Sequence, residues 1–228
     1  MVDKILVKDY VASLIGQEYV VPLIGVWNKP EEIDWESLPD KFVLKTNHSG
    51  GNTGVVICRD KKTFDYSSAI NKLNSSLNKD IYHSLREWPY KDIKKRVFAE
   101  RYIEAGSDLP DYKFFCFNGE VKALFVATDR NHPTEDVKFD FFDADFNHLP
   151  LKQGHENAKV IPNKPSSFDE MKRIASVLSN GLPHVRVDLY EVNGRPVFGE
   201  MTFFHFAGMV PMEPEEWDYK FGEWLELP

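Results

Sequence analysis

Residues 185–202 read VRVDLYEVNGRPVFGEMT, and this stretch decides the fold. Two strand-like runs flank Asn193-Gly194, a pair that tolerates positive φ at both positions and so predicts a type I′ β-hairpin. Asn118-Gly119 joins two more strand-like runs, between Asp111 and Thr128, in the same way. Hairpins outnumber strand–helix–strand units along the chain, which predicts an α+β fold with antiparallel sheets.

The hairpin of residues 185–202 also carries candidate chemistry. Alternation along a strand places Arg186 and Asp188 on one face, and it places Glu200 and Thr202 on one face of the returning strand. The turn brings these pairs side by side, so two carboxylates, a hydroxyl and a guanidinium share one surface. Hard oxygen donors of this kind suit Mg²⁺, and a solvated ion-pair face is the alternative interpretation.

A second candidate site follows the apolar run Phe42-Val43-Leu44. Lys45 ends that run, and a polar loop with three glycines, TNHSGGNTG, occupies residues 46–54. Glycines let backbone N–H groups turn toward an anion, and the lysine adds a mobile positive charge. The pattern therefore suits a polyphosphate, with a flexible hairpin tip as the alternative. It is not a Walker loop, because no Lys-Ser/Thr pair closes it before a helix.

Two further motifs are weaker when taken alone. The strand ending in Glu100-Arg101-Tyr102-Ile103 leads into a soft domain boundary at residues 102–111, and Asp111-Tyr112-Lys113 follows it. The backbone of residues 100–103 could hold a planar base and Asp111 the hydroxyls of a ribose, while a plain linker is the alternative. Arg130 lies just beyond a strand, where a cation could hold an anionic intermediate or simply lie at the surface.

Composition excludes several classes of protein. The chain has 228 residues and a net charge of -8, from 28 basic and 36 acidic residues. This balance argues against a protein that neutralises the phosphates of a nucleic-acid duplex. The two cysteines, Cys58 and Cys116, form no disulfide framework and no zinc motif, so we expect a cytoplasmic location. No apolar run approaches the roughly 20 residues of a membrane-spanning helix.

Periodicity predicts the remaining elements. Asp3 caps a first helix that ends at Gly16, and a later helix has Ser166 or Ser167 as its cap with Glu170 in a capping box. The remaining expectations are strands over Val20–Leu23 and Val97–Ile103, a connector over Trp27–Asp40, and helices over Lys61–Asn78, Ser166–Leu178 and Pro214–Leu227.

The order of these motifs, from Asp3-Lys4 to Glu200-x-Thr202, resembles the ATP-grasp superfamily. Over essentially the whole chain the sequence is more narrowly similar to the TupA-like ATP-grasp family of teichuronopeptide and capsular polysaccharide biosynthesis. The phrases that carry this resemblance are Leu38–Lys45, Lys113–Gly119, Arg186–Tyr190, Phe198–Thr202 and Glu216–Asp218.

The resemblance implies two α+β lobes that hold ATP, with Mg²⁺ on acids of the C-terminal lobe. Residues 1–30 are then an N-terminal helix and strand, residues 31–103 the small lobe with the glycine-rich loop, and residues 104–228 the C-terminal lobe. TupA-like proteins usually carry an extra N-terminal segment, so the chain is expected to be a minimal form or a domain of a longer protein.

The resemblance also implies roles for individual residues. The implied nucleotide-binding residues are Lys4, Lys45, Ser49, Gly50, Gly51, Thr53, Glu100, Arg101, Tyr102, Ile103, Asp111 and Lys113. The implied metal ligands are Asp188, Glu200 and Thr202, and the implied catalytic residues are Arg186, Lys45 and Arg130.

The activity that the resemblance implies is an ATP-dependent carboxylate–amine ligase. It would form an amide on a uronic acid of a surface polysaccharide, or on its nucleotide-sugar precursor, through an acyl phosphate. Its expected partners are the carboxylate, an amine donor and other enzymes of polysaccharide assembly. A sugar kinase and a non-catalytic nucleotide-binding module are the alternatives.

Overall fold

The computed structural model describes residues 1–104, 109–130 and 134–227. The chain divides into two compact units. The first comprises Met1–Tyr10 and Val20–Glu104, and the second comprises Val11–Tyr19 and Ala105–Pro228. Part of the expected boundary at residues 102–111, namely 105–108, lies outside the described residues.

The first helix confirms the capping expectation. Helix α1 spans Leu6–Ile15, and the Asp3 carboxylate accepts hydrogen bonds from the backbone N–H groups of Ile5 and Leu6 at 2.8 and 3.2 Å. Gly16 follows the helix with φ +110, a conformation that favours glycine at a helix end.

A four-stranded antiparallel sheet forms the centre of the first unit. Its strands are β1 (Leu23–Trp27), β2 (Phe42–Thr46), β3 (Val55–Cys58) and β4 (Val97–Arg101), in the spatial order β1-β4-β2-β3. Helices α2 (Tyr66–Leu77) and α3 (Ile81–Leu85) follow β3. Phe42 and Leu44 are buried in the core, and Lys45, which alternates with them, is directed to the other face.

One strand expectation in this unit was wrong. The strand predicted at Val20–Leu23 instead spans Leu23–Trp27, so Trp27 belongs to a strand and not to the connector. The physical reason is Pro22, which has no N–H to donate to a sheet ladder and so favours a strand that begins after it.

The second unit contains a five-stranded antiparallel sheet. Its strands are β5 (Asp111–Phe117), β6 (Glu120–Thr128), β7 (Lys138–Asp143), β8 (His184–Val192) and β9 (Arg195–Thr202), in the order β7-β6-β5-β8-β9. Both predicted hairpins are confirmed, with φ of 51 and 85 at Asn118 and Gly119 and of 52 and 74 at Asn193 and Gly194. The α+β class with antiparallel sheets is therefore as expected.

The two faces of this sheet are covered differently. Helix α4 (Phe168–Ser179) contacts β5, β6 and β8 through its buried side. The other face carries an aromatic cluster that includes Phe115, Phe125 and Phe139, and Trp217 of helix α5 (Glu216–Glu223) packs into it. As expected from its spacing, the last helix buries one aromatic face.

The capping box predicted for α4 was wrong. Ser167 occupies the N-cap position, but its side chain makes no capping hydrogen bond. Glu191 instead accepts hydrogen bonds from the Ser166 hydroxyl and from the backbone N–H of Ser167, at 2.5 and 2.9 Å. Glu170 accepts one from the hydroxyl of Tyr19. The competing carboxylate comes from a distant strand, which local spacing does not reveal.

None of the helices in the described ranges is long and apolar enough to cross a membrane.

Candidate active site

Strands β8 and β9 bring the predicted metal-binding residues together. In the register of these strands Asp188 lies directly opposite Glu200, and Arg186 lies directly opposite Thr202. Because partners in register share a face, the four polar side chains project from the same side of the sheet. The sequence expectation for this hairpin is thus met in its geometry.

A β-bulge keeps these polar residues aligned. Asp188 pairs with Glu200, but the next residue, Leu189, pairs with Phe198, so Gly199 is an extra residue on β9. A Cβ atom on Gly199 would lie 3.0 Å from the backbone oxygen of Asp188. The bulge lets β9 direct Glu200 to the polar face while Phe198, which is buried, joins Leu189 on the apolar face.

The Arg186 guanidinium is held on several sides. Its Nε and Nη2 atoms donate to Asp188 Oδ1 and Oδ2 at 2.7 and 2.8 Å, and Nη2 also donates to Thr202 Oγ1 at 3.0 Å. Glu200 Oε1 lies 3.6 Å from Nη2. Burial opposes the charge of Arg186, but the carboxylates of Asp188 and Glu200 raise its pKa above the ordinary value. Arg186 is therefore a fixed cation at the centre of this face.

A second row of charges continues onto β5. Lys113, the register partner of Asp188, contacts Asp188 Oδ2, and its Nζ lies 2.7 Å from Asp111 Oδ2. Arg130 Nη1 donates to the same Asp111 oxygen at 2.7 Å. Both predicted cations thus contact Asp111, and their roles at the site remain predictions. The negative charge of Asp111 and burial raise the pKa of the adjacent Tyr190.

One carboxylate oxygen in this row has no partner. Asp111 is 1% exposed, and its Oδ1 atom makes no hydrogen bond within the described part of the chain. An unsatisfied buried acceptor is costly, so this oxygen is suited to accept a hydrogen bond from a ligand hydroxyl. The expected ribose-binding role of Asp111 remains a prediction that this geometry permits.

The charges on this face are mixed and do not form a purely acidic cluster. Burial raises the pKa of Asp188, and the cations Arg186 and Lys113 act in the opposite direction. Across residues 1–104, 109–130 and 134–227 there is no group of three or more His, Cys, Asp or Glu side chains able to hold a metal ion. A metal on Asp188, Glu200 and Thr202 would take its remaining ligands from water and phosphate, which is how Mg²⁺ is commonly bound.

In the first unit the site residues centre on Glu100 of β4. Lys45 and Lys8 lie 2.5 Å from its two carboxylate oxygens. Burial opposes ionisation of Glu100, but these two cations lower its pKa below the ordinary value. Sequence reasoning missed Lys8, which lies in the first turn of α1, four residues after the predicted Lys4. Burial lowers the pKa of Lys8, against the effect of Glu100.

The N-terminal motif is tied to the glycine-rich loop through Asn47. The Lys4 backbone N–H donates to the Asn47 carbonyl at 3.0 Å, and Asn47 Nδ2 donates to the Asp3 carboxylate at 2.8 Å. Asn47 Oδ1 accepts from the backbone N–H of Arg96 at 2.8 Å. The loop and the start of α1 are thereby fixed to one another, while the Lys4 side chain itself is half-buried.

The glycine-rich loop has a buried base and an exposed tip. Gly50, Gly51 and Thr53 are exposed, as a phosphate-binding loop requires. Ser49 is buried, and its hydroxyl accepts from the hydroxyl of Thr46 at 2.7 Å, so it contributes to the base of the loop and not to the tip.

The predicted base-binding segment leaves strand β4 at Arg101. Tyr102 and Ile103 are half-buried, and no backbone–backbone hydrogen bond involves them in the described residues. Backbone N–H and C=O groups at the end of a strand are what a planar base would need. Arg101 itself is exposed, and its N–H donates to the carbonyl of Pro22 at 3.3 Å.

Comparison with known proteins places this geometry in a family. A family model described as TupA-like ATPgrasp matches residues 1–226, and none of the curated proteins matches the chain. L-amino acid ligase from Bacillus licheniformis is similar in structure, with a TM-score of 0.51 and 14% identity, over 88% of this chain and 43% of that one. D-alanine–D-alanine ligase from Bacillus anthracis has a TM-score of 0.48 and 18% identity, over 88% of this chain and 56% of that one. The chain thus spans about half the length of these relatives. The likeness to the L-amino acid ligase agrees with the ATP-grasp fold of the matching family.

Proposed function

The chain belongs to the TupA-like ATP-grasp family, and from this premise we propose that it is an ATP-dependent ligase that joins a carboxylate to an amine. The observation that carries the proposal is the cross-strand arrangement of Asp188, Glu200 and Thr202 around the buried Arg186. Two carboxylates and a hydroxyl can hold a metal ion, and a fixed guanidinium can offset the charge on a phosphoryl group that leaves ATP.

The donor set of β8 and β9 fits a magnesium ion. Asp188, Glu200 and Thr202 offer hard oxygen ligands from register positions on neighbouring strands. When bound, magnesium offsets the negative charge of phosphate groups. The Gly199 bulge and the hydrogen bonds of Arg186 hold these ligand oxygens on one face of the sheet.

Arg186 is proposed to stabilise the charge that develops during transfer. A carboxylate oxygen of the substrate forms a bond to the γ-phosphorus of ATP while the bond to the bridging oxygen breaks, and ADP leaves with the electron pair. The amine nitrogen then attacks the acyl carbon, phosphate leaves, and the amine loses a proton. A planar guanidinium that is already held in place stabilises the phosphoryl oxygens with little reorganisation.

The other predicted residues are proposed to bind the nucleotide. In the first unit Lys45, together with Lys8 and the exposed glycine-rich tip, suits the phosphates, and the backbone groups of Tyr102 and Ile103 suit the adenine. In the second unit the unpaired Asp111 oxygen suits a ribose hydroxyl. Lys113 and Arg130 contact that carboxylate and would add positive charge for phosphate.

We propose a uronic acid as the carboxylate substrate, either in a surface polysaccharide or in its nucleotide-sugar precursor. Family membership supports this choice. Product analysis by mass spectrometry, with ATP, Mg²⁺, UDP-uronic acids and a panel of amines, tests it. ADP and phosphate that appear only when acid and amine are both present support the ligase. ADP with a stable phosphosugar would indicate a kinase, and ATP binding without turnover would indicate a nucleotide-binding module.

A further inference from the structure

His205 lies just beyond β9 and contacts the side of Arg186 that Asp188 does not occupy. Its Nδ1 atom is 2.5 Å from Arg186 Nη1. The ring also packs against Phe115 and Phe125, with centroid distances of 5.2 and 5.3 Å. His205 is therefore placed between the aromatic cluster and the guanidinium, at the border of the polar face.

The hydrogen bonds of this histidine specify its tautomer. Arginine can only donate, so Nδ1 of His205 must accept and carries no proton. Nε2 then holds the proton and donates to Gln153 Oε1 at 3.0 Å. The amide of Gln153 is oriented in turn, because its Nε2 donates to the carbonyl of Val210 at 2.8 Å. Burial and the charge of Arg186 lower the pKa of His205 well below its ordinary value, which keeps the ring neutral.

This chain of contacts completes the support of the guanidinium. Asp188 and Thr202 accept from Nε and Nη2 of Arg186, which fixes one edge. His205 accepts a hydrogen bond from Nη1, on the other edge. Because a guanidinium is planar, fixing both edges also fixes the direction of its N–H groups.

The backbone after His205 is held in an unusual conformation. Phe206 and Ala207 have φ of 50 and 53, a left-handed region that residues other than glycine rarely adopt. The Phe206 ring packs on Phe139 and His155, at centroid distances of 6.1 and 6.2 Å. The turn that presents His205 is thus anchored by its own aromatic neighbour.

We propose that Gln153 and His205 are positioning residues for Arg186. They would hold its guanidinium plane in one orientation, ready for the anion that forms during transfer. This role rests on the proposed ligase function, since it concerns the residue to which that function assigns charge stabilisation. His205 itself would not touch the reacting atoms.

Two substitutions at His205 separate positioning from packing. His205→Phe keeps the ring against Phe115 and Phe125 but removes the acceptor, so kcat should fall on the order of 10- to 100-fold while the Kd for ATP stays unchanged. His205→Asn places an amide oxygen near the position of Nδ1 and should recover most of the lost kcat. His83→Phe, at an exposed histidine of the first unit, is the control. An unchanged kcat in His205→Phe, or equal losses in the Phe and Asn variants, would overturn the proposal.

A measurement on the wild-type protein tests the contact without any assay of activity. Nitrogen-15 NMR of the histidine rings should show His205 as the neutral tautomer protonated at Nε2, and Gln153→Leu should shift that Nε2 resonance. A ring protonated at Nδ1 would refute the contact, whichever reaction the chain catalyses. A wild-type protein that forms no ADP with any acid and amine would instead refute the proposed function, so the two failures are distinguishable.

Discussion

Asp188 and Glu200 are direct register partners, yet their exposures differ. Asp188 is 1% exposed and is held by Arg186 and Lys113, whereas the Glu200 side chain is 28% exposed. One carboxylate is thus part of a buried ion network, and the other lies at its open edge. Two residues with the same proposed ligand role should therefore respond differently to substitution.

Neutralising each carboxylate tests this difference. Asp188→Asn removes the buried negative charge that Arg186 and Lys113 share, so the free energy of unfolding should fall by about 3–5 kcal/mol. Glu200→Gln should change it by no more than about 1 kcal/mol. Both variants should lose turnover, on the order of 100-fold or more, because each removes a proposed ligand. Urea unfolding together with steady-state kinetics measures both quantities. Full turnover in Glu200→Gln would remove Glu200 from the site.

Lys45 provides a test of the nucleotide site in the first unit. Lys45→Ala should weaken ATP binding by about 1.5–3 kcal/mol, the contribution of a charge-assisted hydrogen bond. The fold should tolerate the change, since Lys8 still pairs with the buried Glu100. Lys62→Ala, at an exposed lysine of the same unit, is the control. Calorimetry with ATP gives the affinities, and equal affinities in the wild type and Lys45→Ala would refute the assignment.

The base of the glycine-rich loop should be sensitive to a single methyl group. A Cβ atom at Gly54 would lie 2.1, 2.4 and 2.5 Å from the hydroxyl oxygens of Thr46, Ser49 and Ser76. Gly54→Ala should therefore destabilise the protein by about 1–3 kcal/mol. Gly50→Ala is the matched control, because nothing lies within 4 Å of the Cβ position there, and its effect on stability should stay within about 0.5 kcal/mol. Thermal and urea unfolding of both variants measure these changes in stability, and equal stabilities would contradict the prediction.

Local chemistry explains which features could be predicted from the sequence. The Asn193-Gly194 turn requires positive φ at both positions, so it specifies a hairpin wherever it occurs, and alternation then places Arg186 and Asp188 on a common face. Lysine before a glycine-rich loop is equally local. These motifs fixed the α+β class and most of the residues around Arg186.

Features that depend on distant partners could not be predicted. Strand β7 was missed because Asp140 interrupts its apolar run, and that carboxylate is buried through bonds to His148 and the backbone N–H of Ala158. Lys8 reveals its role only when Glu100 is placed beside it. The role of His205 could not be predicted from the sequence, because it depends on the contact between its ring and the Arg186 guanidinium.

The ion cluster around Glu100 predicts how stability depends on pH. The pKa of Glu100 is lowered from 4.5 in the folded protein, so the unfolded chain takes up a proton at a higher pH. The cluster's contribution to the free energy of unfolding is complete above the pKa that Glu100 has in the unfolded chain. This contribution is lost as the pH falls through the lower pKa of the folded protein. Glu100→Gln should be less stable at neutral pH, because Lys8 and Lys45 lose their partner, and its stability should vary less with pH in the acid range.

Urea unfolding from neutral pH down to about pH 3 measures this dependence. Glu104→Gln, which removes an exposed carboxylate paired with Lys41, is the control and should follow the wild-type curve. Parallel acid profiles for the wild type and Glu100→Gln would contradict the predicted linkage.

Arg186 and the fate of the carboxylate oxygen together test the type of reaction. If the substrate carboxylate attacks the γ-phosphorus, ¹⁸O from a labelled carboxylate must appear in the released phosphate, and the nucleotide product must be ADP. Arg186→Lys keeps a positive charge but cannot form the paired contacts with Asp188, so kcat should fall while the affinity for ATP changes little. Arg195→Lys, at an exposed position of β9, serves as the control. Label recovered in AMP would mean that the carboxylate attacks the α-phosphorus, and the acyl-phosphate mechanism would have to be abandoned.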